Sequence, residues 1–66
     1  MPSNHRQTIQ RRLDQAAEAV FRARAYIIAE GEQYKDIHPD YFYMFQGCAD
    51  YLEEGIKFII SLRDKI

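Results

Sequence analysis

The chain has little of what very small domains use to supplement a small core. Its 66 residues include a single cysteine, Cys48, and no tryptophan. One cysteine cannot form an internal disulfide, so the sequence excludes the disulfide framework of small secreted domains and favours a cytoplasmic protein. A chain of this length buries only about 60% of its unfolded surface, and its fold is marginal without additional contacts. We therefore expect it to need a partner chain.

The residue patterns of catalytic and metal sites are also missing. No histidine pair stands at i, i+4, no Glu-x-x-His is present, and no glycine-rich loop could hold a phosphate. No nucleophile accompanies either histidine in a recognisable arrangement. We expect no enzymatic activity, cofactor, bound metal or small-molecule substrate. The metal-ligating residue types are scattered over His5, Asp36, His38, Asp40 and Cys48.

The chain lacks net charge and long apolar runs. A formal charge of −1 gives no general field for a polyanion, so nucleic acid is not an expected partner. Charged residues interrupt every apolar segment, and the first residues lack the apolar core of a signal peptide, so we expect no membrane association or export. The charge is unevenly distributed, with net +3 over residues 1–24, −6 over 25–54 and +2 over 55–66. A chain that folds back on itself would place opposite charges side by side.

Apolar residues at helical spacing dominate the first half of the chain. They predict one long helix with a single apolar face. Gly31 follows the point where this pattern fades, which favours a left-handed C-terminal cap and a helix over about residues 5–30. The predicted face consists of Ile9, Leu13, Ala16, Val20, Ala23 and Ile27.

The second half predicts another helix, over about residues 39–64. Pro39 suits a first helical turn, and Asp40 beside it meets the positive end of the helix dipole. The linker 31–38 is long enough to reverse the chain, so we predict an all-α, coiled-coil-like antiparallel hairpin formed by residues 1–66 as one domain. Gly55 is interpreted as a point of close approach to the alanines of the first helix. The predicted face is Phe45, Cys48, Leu52, Gly55, Ile59, Leu62 and Ile66.

Both helices carry more apolar surface than they can hide from each other. The apolar arc of the second helix is about twice the width that one neighbouring helix covers. Each uncovered large side chain forgoes roughly 1.5–3 kcal/mol of burial, so we predict that the surplus face binds a protein. Arg24 lies within the apolar arc, either with its stem covering apolar surface or as an anchor for Glu53 or for a carboxylate of the partner. The predicted partner-binding residues are Phe42, Met44, Tyr51, Phe58, Leu62, Phe21, Ile28 and Arg24.

The second helix resembles a known family. Pro39-Asp40, an aromatic-rich turn, Gln46, Ala49 and the segment Leu52 to Ile56 are similar to the C-terminal helix of the small co-chaperones of type III secretion needle subunits, the YscE/PscE group. The five-residue aromatic stretch and the longer linker depart from that pattern. The resemblance implies a bacterial cytoplasmic protein that binds a larger helical-repeat chaperone and helps to keep the needle subunit from polymerising.

The sequence leaves a second interpretation open. The surplus face of one copy would pack against that of another and form a homodimeric four-helix bundle with a structural or regulatory role. The two interpretations differ in the occupant of the face and share the same hairpin.

Overall fold

The fold is a hairpin of two long α-helices, as the sequence predicts. A computed structural model describes the backbone of residues 2–66 and the side chains of residues 5–66. Helix α1 spans Pro2–Glu32 and helix α2 spans Pro39–Lys65, with no strand in the described part of the chain. The helices run antiparallel along the whole length of a rod that measures 56 × 15 × 8 Å. The all-α prediction is therefore confirmed.

The turn between the helices, residues 33–38, is closed by backbone hydrogen bonds and by stacked rings. The N–H of Tyr34 donates to the carbonyl of Gly31 at 3.0 Å, and the N–H of His38 donates to the carbonyl of Tyr34 at 2.8 Å. The Tyr34 ring stacks on Phe45 and meets Tyr41 edge-on, both with centroids 5.7 Å apart. His38 stacks on Tyr41 at 3.7 Å. This aromatic cluster fixes the reversal of the chain.

The start of α2 follows the expected chemistry. Pro39 occupies the first turn, where a missing N–H costs nothing, and Asp40 lies at the positive end of the helix dipole. His38 is the N-cap residue and makes no side-chain capping bond. At the other end, Arg63 and Lys65 lie in the last turn beside the negative end of the dipole.

Gly31 has a different role from the predicted one. Helix α1 continues to Glu32, and no glycine in the described residues has a positive φ, so the prediction of a left-handed cap is wrong. Gly31 is instead buried against α2, where an added Cβ would lie 2.7 Å from Cβ of Phe45. The two backbones can come this close only because the residue has no side chain.

The contact between the helices is one heptad seam on each helix. Its members are less exposed residues, although among residues 5–66 only Gly31 and Ala49 are buried and no side chain is fully buried. We call these positions the seam. On α1 they are Leu13, Ala17, Val20, Arg24, Ile27 and Gly31, and on α2 they are Phe42, Phe45, Ala49, Leu52, Ile56, Ile59 and Arg63.

Part of the predicted faces was therefore wrong. Ala16, Ala23 and Cys48 are exposed, and Leu62 is 50% exposed. Their places in the seam belong to Ala17, Arg24, Ala49 and Arg63. The predicted faces were chosen by hydrophobicity alone. Because apolar surface continues on one side of the seam, the centre of each predicted face lies about one residue away from the centre of the seam.

Gly55 was also misassigned. A Cβ added at this position would meet nothing within 4 Å, and the same is true of Gly47. The two helices therefore do not require a glycine at either position, and the predicted close approach to Ala16 or Ala23 is wrong.

Gly31 and Gly47 give a direct test of this packing. We expect Gly31→Ala to lower the free energy of unfolding by about 1–3 kcal/mol, because the methyl group forces Phe45 away from its place. Gly47→Ala is the control, and we expect it to raise stability by up to ~1 kcal/mol through helix propensity alone. Urea denaturation at a fixed protein concentration measures both changes. A Gly31→Ala variant at least as stable as Gly47→Ala would contradict the close approach.

Candidate interaction surface

One side of the hairpin is tied together by ion pairs. Nη2 of Arg24 lies 3.7 Å from Oε2 of Glu53, and Nε of Arg63 lies 2.7 Å from Oδ1 of Asp14. Both arginines occupy seam positions, and both carboxylates belong to the opposite helix. Arg24 lies in the basic segment 1–24 and Glu53 in the acidic segment 25–54, so this pair joins opposite charges across the hairpin as expected, whereas Asp14 and Arg63 both lie in segments of net positive charge.

The two arginines are only partly satisfied by these contacts. Nε of Arg24 and Nε of Arg63 are both shielded from solvent and make no hydrogen bond. The short contact between Arg63 and Asp14 is therefore an electrostatic one, because the N–H group is not aligned for a hydrogen bond. Because the paired side chains are 28–55% exposed, each pair contributes about 0–1 kcal/mol and mainly fixes which residues face each other.

The opposite side of the hairpin carries a continuous apolar stripe. Its residues on α2 follow one another at spacings of 4, 3, 4, 3 and 4, the same repeat as the seam, about 100° further round the helix. We call this set the uncovered stripe: Met44, Cys48, Tyr51, Gly55, Phe58 and Leu62.

The large members of the uncovered stripe project into solvent. Met44 is 68% exposed, Tyr51 82%, Phe58 73% and Leu62 50%. None of the six residues is charged. A helix that presents two apolar heptad stripes can pack against two neighbours, and the hairpin supplies only one.

Helix α1 continues this surface with small side chains. Asp14 and Glu53 flank the seam on the ion-paired side, so the helical repeat places Ala16 and Ala23 on the other side, next to the uncovered stripe. These alanines are exposed. Near the turn, Ile27 and Phe45 form a shallow apolar groove with two members of the stripe, Met44 and Cys48.

The predicted partner-binding residues divide between the two sides. Met44, Tyr51, Phe58 and Leu62 all lie on the uncovered stripe. Phe21 is 59% exposed but lies on the ion-paired side, next to Arg24, Glu53, Ile56 and Lys57. Ile28 and Phe42 are half-buried, with Ile28 beside Arg24 and Phe42 beside Tyr43. Arg24 lies beside Glu53, which is one of the two carboxylate partners considered for it from the sequence.

Sequence reasoning missed two members of the surface. Cys48 and Gly55 were assigned to the seam, although the heptad spacing that starts at Met44 includes both. These are the small members of the uncovered stripe, and they alternate with the large side chains of Met44, Tyr51 and Phe58.

The total accessible area reflects the elongated shape of the hairpin. The hairpin exposes 5369 Å². A compact monomer of 7.8 kDa exposes about 4,400 Å² by the size scaling of folded proteins, so about 1,000 Å² is in excess. One partner in a standard protein–protein interface buries about 800 Å². The elongated hairpin therefore has an excess of total surface of about the size of one side of a standard interface.

The described residues show no other candidate site. No group of three or more histidine, cysteine, aspartate or glutamate residues among residues 5–66 is placed to hold a metal ion. Neither of the two described helices has a stretch long and apolar enough to cross a membrane. No protein family, curated protein or solved structure matches the chain.

Proposed function

We propose that this chain is a small non-catalytic interaction protein that uses the uncovered stripe to bind helices of another polypeptide. The observation that carries the proposal is the exposure of Met44, Tyr51, Phe58 and Leu62 in one uncharged heptad row. Burying these side chains provides a driving force for association that the hairpin cannot realise alone.

The resemblance to type III secretion co-chaperones supports a more specific proposal. In that role the hairpin would dock on a larger helical-repeat chaperone in the bacterial cytoplasm, and the pair would hold the needle subunit unpolymerised. An α-solenoid chaperone presents helices to its ligands, and a helix with a second heptad stripe fits such a surface. This role requires no catalytic group.

A homodimeric four-helix bundle with a structural or regulatory role is the second candidate. The order of large and small side chains along the uncovered stripe favours it, because this order lets the stripe pack against a copy of itself.

The two-face assignment predicts different outcomes for substitutions on the stripe and in the seam. We expect Phe58→Ala to weaken the association of the uncovered stripe with its partner chain by about tenfold or more. Little helicity should be lost, because the aromatic side chain is removed from an exposed face. Leu52→Ala should cost about 2–5 kcal/mol of stability in the assembled form, because Leu52 packs within the seam. Sedimentation measures the first effect, and circular dichroism during urea denaturation measures the second.

Tyr43 and Ile37 provide matched controls for Phe58. They are 68% and 80% exposed, respectively, and both lie off the uncovered stripe. Tyr43→Ala and Ile37→Ala should therefore leave association unchanged. Equal losses of association for Phe58, Tyr43 and Ile37 would show that binding is not confined to the stripe, and the proposal would fail.

Co-expression tests the co-chaperone role. We expect the chain to form a soluble complex with the helical-repeat chaperone and needle subunit of a type III secretion system from the same genome, and Phe58→Glu to abolish it by placing a charge in the apolar contact. Size-exclusion chromatography of the co-expressed proteins measures the complex. A needle subunit that stays equally soluble without the chain, with no complex formed, would exclude this role.

A further inference from the structure

The pattern of side chains on the uncovered stripe identifies an occupant for it. This inference rests on the proposed function, because it requires the stripe to be a docking surface. We propose that in the isolated protein the stripe is covered by the same stripe of a second copy, with the two α2 helices antiparallel about a two-fold axis at the level of Glu53.

The spacing of the stripe allows this arrangement without any residue left over. Its members lie two, five and nine positions on either side of Glu53. An isologous interface requires that residue i meets residue j and that j meets i, and this register satisfies the requirement along the whole stripe. The facing pairs are Tyr51 with Gly55, Phe58 with Cys48, and Met44 with Leu62, and the two-fold axis forms each of them twice.

The sizes of the facing side chains are complementary. The aromatic ring of Tyr51 would lie over Gly55, and that of Phe58 would lie over Cys48. Knobs-into-holes packing needs such large-to-small alternation when helices approach closely. The pairing also explains the position of Gly55. A mid-helix glycine costs about 1 kcal/mol relative to alanine, and the hairpin itself offers nothing within 4 Å of a Cβ there.

Other registers fit less well. Sliding one copy by a heptad in one direction places Cys48 opposite the charged Lys65. Sliding it in the other direction moves Leu62 onto Ile37, in the turn. Among these antiparallel registers, only the one centred on Glu53 pairs the complete stripe with itself.

Area and charge both permit the contact. The excess of about 1,000 Å² of total surface per copy, relative to a compact monomer of this mass, is of the same order as the roughly 800 Å² that each partner buries in a standard interface. The stripe carries no charge, so it brings no uncompensated charge into the contact. Glu54 approaches its counterpart near the axis, and Nζ of Lys57 already lies 3.3 Å from its carboxylate in each chain.

Disulfide trapping tests the register, because Cys48 is the only native cysteine. In Phe58→Cys, residue 48 of one copy would face residue 58 of the other, and two symmetric cross-links should form under mild oxidation. Within one chain these positions are about 15 Å apart along the helix, too far for a disulfide. We expect a covalent dimer on a non-reducing gel, with helicity retained.

Two variants serve as controls. Ile60→Cys places the new thiol on the opposite side of α2 and should give no dimer. Tyr51→Cys would face Cys48 of the second copy only in the register shifted by one heptad toward the turn. A dimer from Tyr51→Cys but not from Phe58→Cys would overturn the assigned register.

A second variant keeps the test independent of the thiols. Gly55→Leu should raise the dissociation constant of the dimer by about tenfold or more, because the new side chain occupies the space of Tyr51 from the second copy. Helicity should be unchanged or higher, since leucine is the better helix former. A dimer as tight as that of the unmodified protein would overturn the pairing of Tyr51 with Gly55.

Failure of this inference is distinguishable from failure of the proposed function. If the unmodified protein is monomeric and Phe58→Cys gives no covalent dimer, while the stripe still binds a hydrophobic dye, a second copy is excluded as the occupant and the docking surface remains. If the stripe binds neither dye nor protein, both proposals fail.

Discussion

The structure depends on one geometric constraint: a pair of antiparallel helices can bury only one stripe of each against the other. The seam between α1 and α2 satisfies that limit, yet of the residues whose side chains the structure describes it leaves only Gly31 and Ala49 buried and none fully enclosed. The hydrophobic stabilisation of the isolated hairpin is correspondingly small. At the turn, the rings of Tyr34, Tyr41 and Phe45 pack together.

The two sides of the seam have separate roles because of their chemistry. The side with Arg24–Glu53 and Asp14–Arg63 is charged and therefore costly to desolvate, so it suits contact with water. The other side carries the uncovered stripe and the exposed alanines of α1. These side chains are uncharged, so removing water from them has little desolvation cost. Association through the apolar side would leave both ion pairs solvated and intact. The polar seam positions fix how the helices face each other, and the apolar side supplies the energy for binding.

The sequence was sufficient to predict the two helices, the reversal between them and the start of α2 at Pro39, because these depend on local patterns. The seam was predicted only approximately. Helix α2 carries two adjacent heptad stripes, and an analysis by hydrophobicity placed a single face between them, so that Cys48 and Leu62 replaced Ala49 and Arg63. Arg24 and Arg63 concealed the true seam because their charge argues against such positions, although their long stems fit there.

Gly31 and Gly55 show what local patterns omit. Gly31 follows a fading helical pattern, as a capping glycine does, and only the proximity of Phe45 reveals that it serves packing between helices. Gly55 looked like a packing glycine within the hairpin, and only the empty space around it shows that the hairpin does not need it. Both distinctions depend on distances between residues far apart in the chain.

Sedimentation equilibrium of the unmodified protein over a range of micromolar concentrations tests the central claim most directly. The surplus apolar surface predicts that the single copy is a minor species and that its share grows on dilution, with exposed stripe detected as increased binding of a hydrophobic dye. A cooperatively folded single copy at every concentration, with no dye bound, would contradict the account.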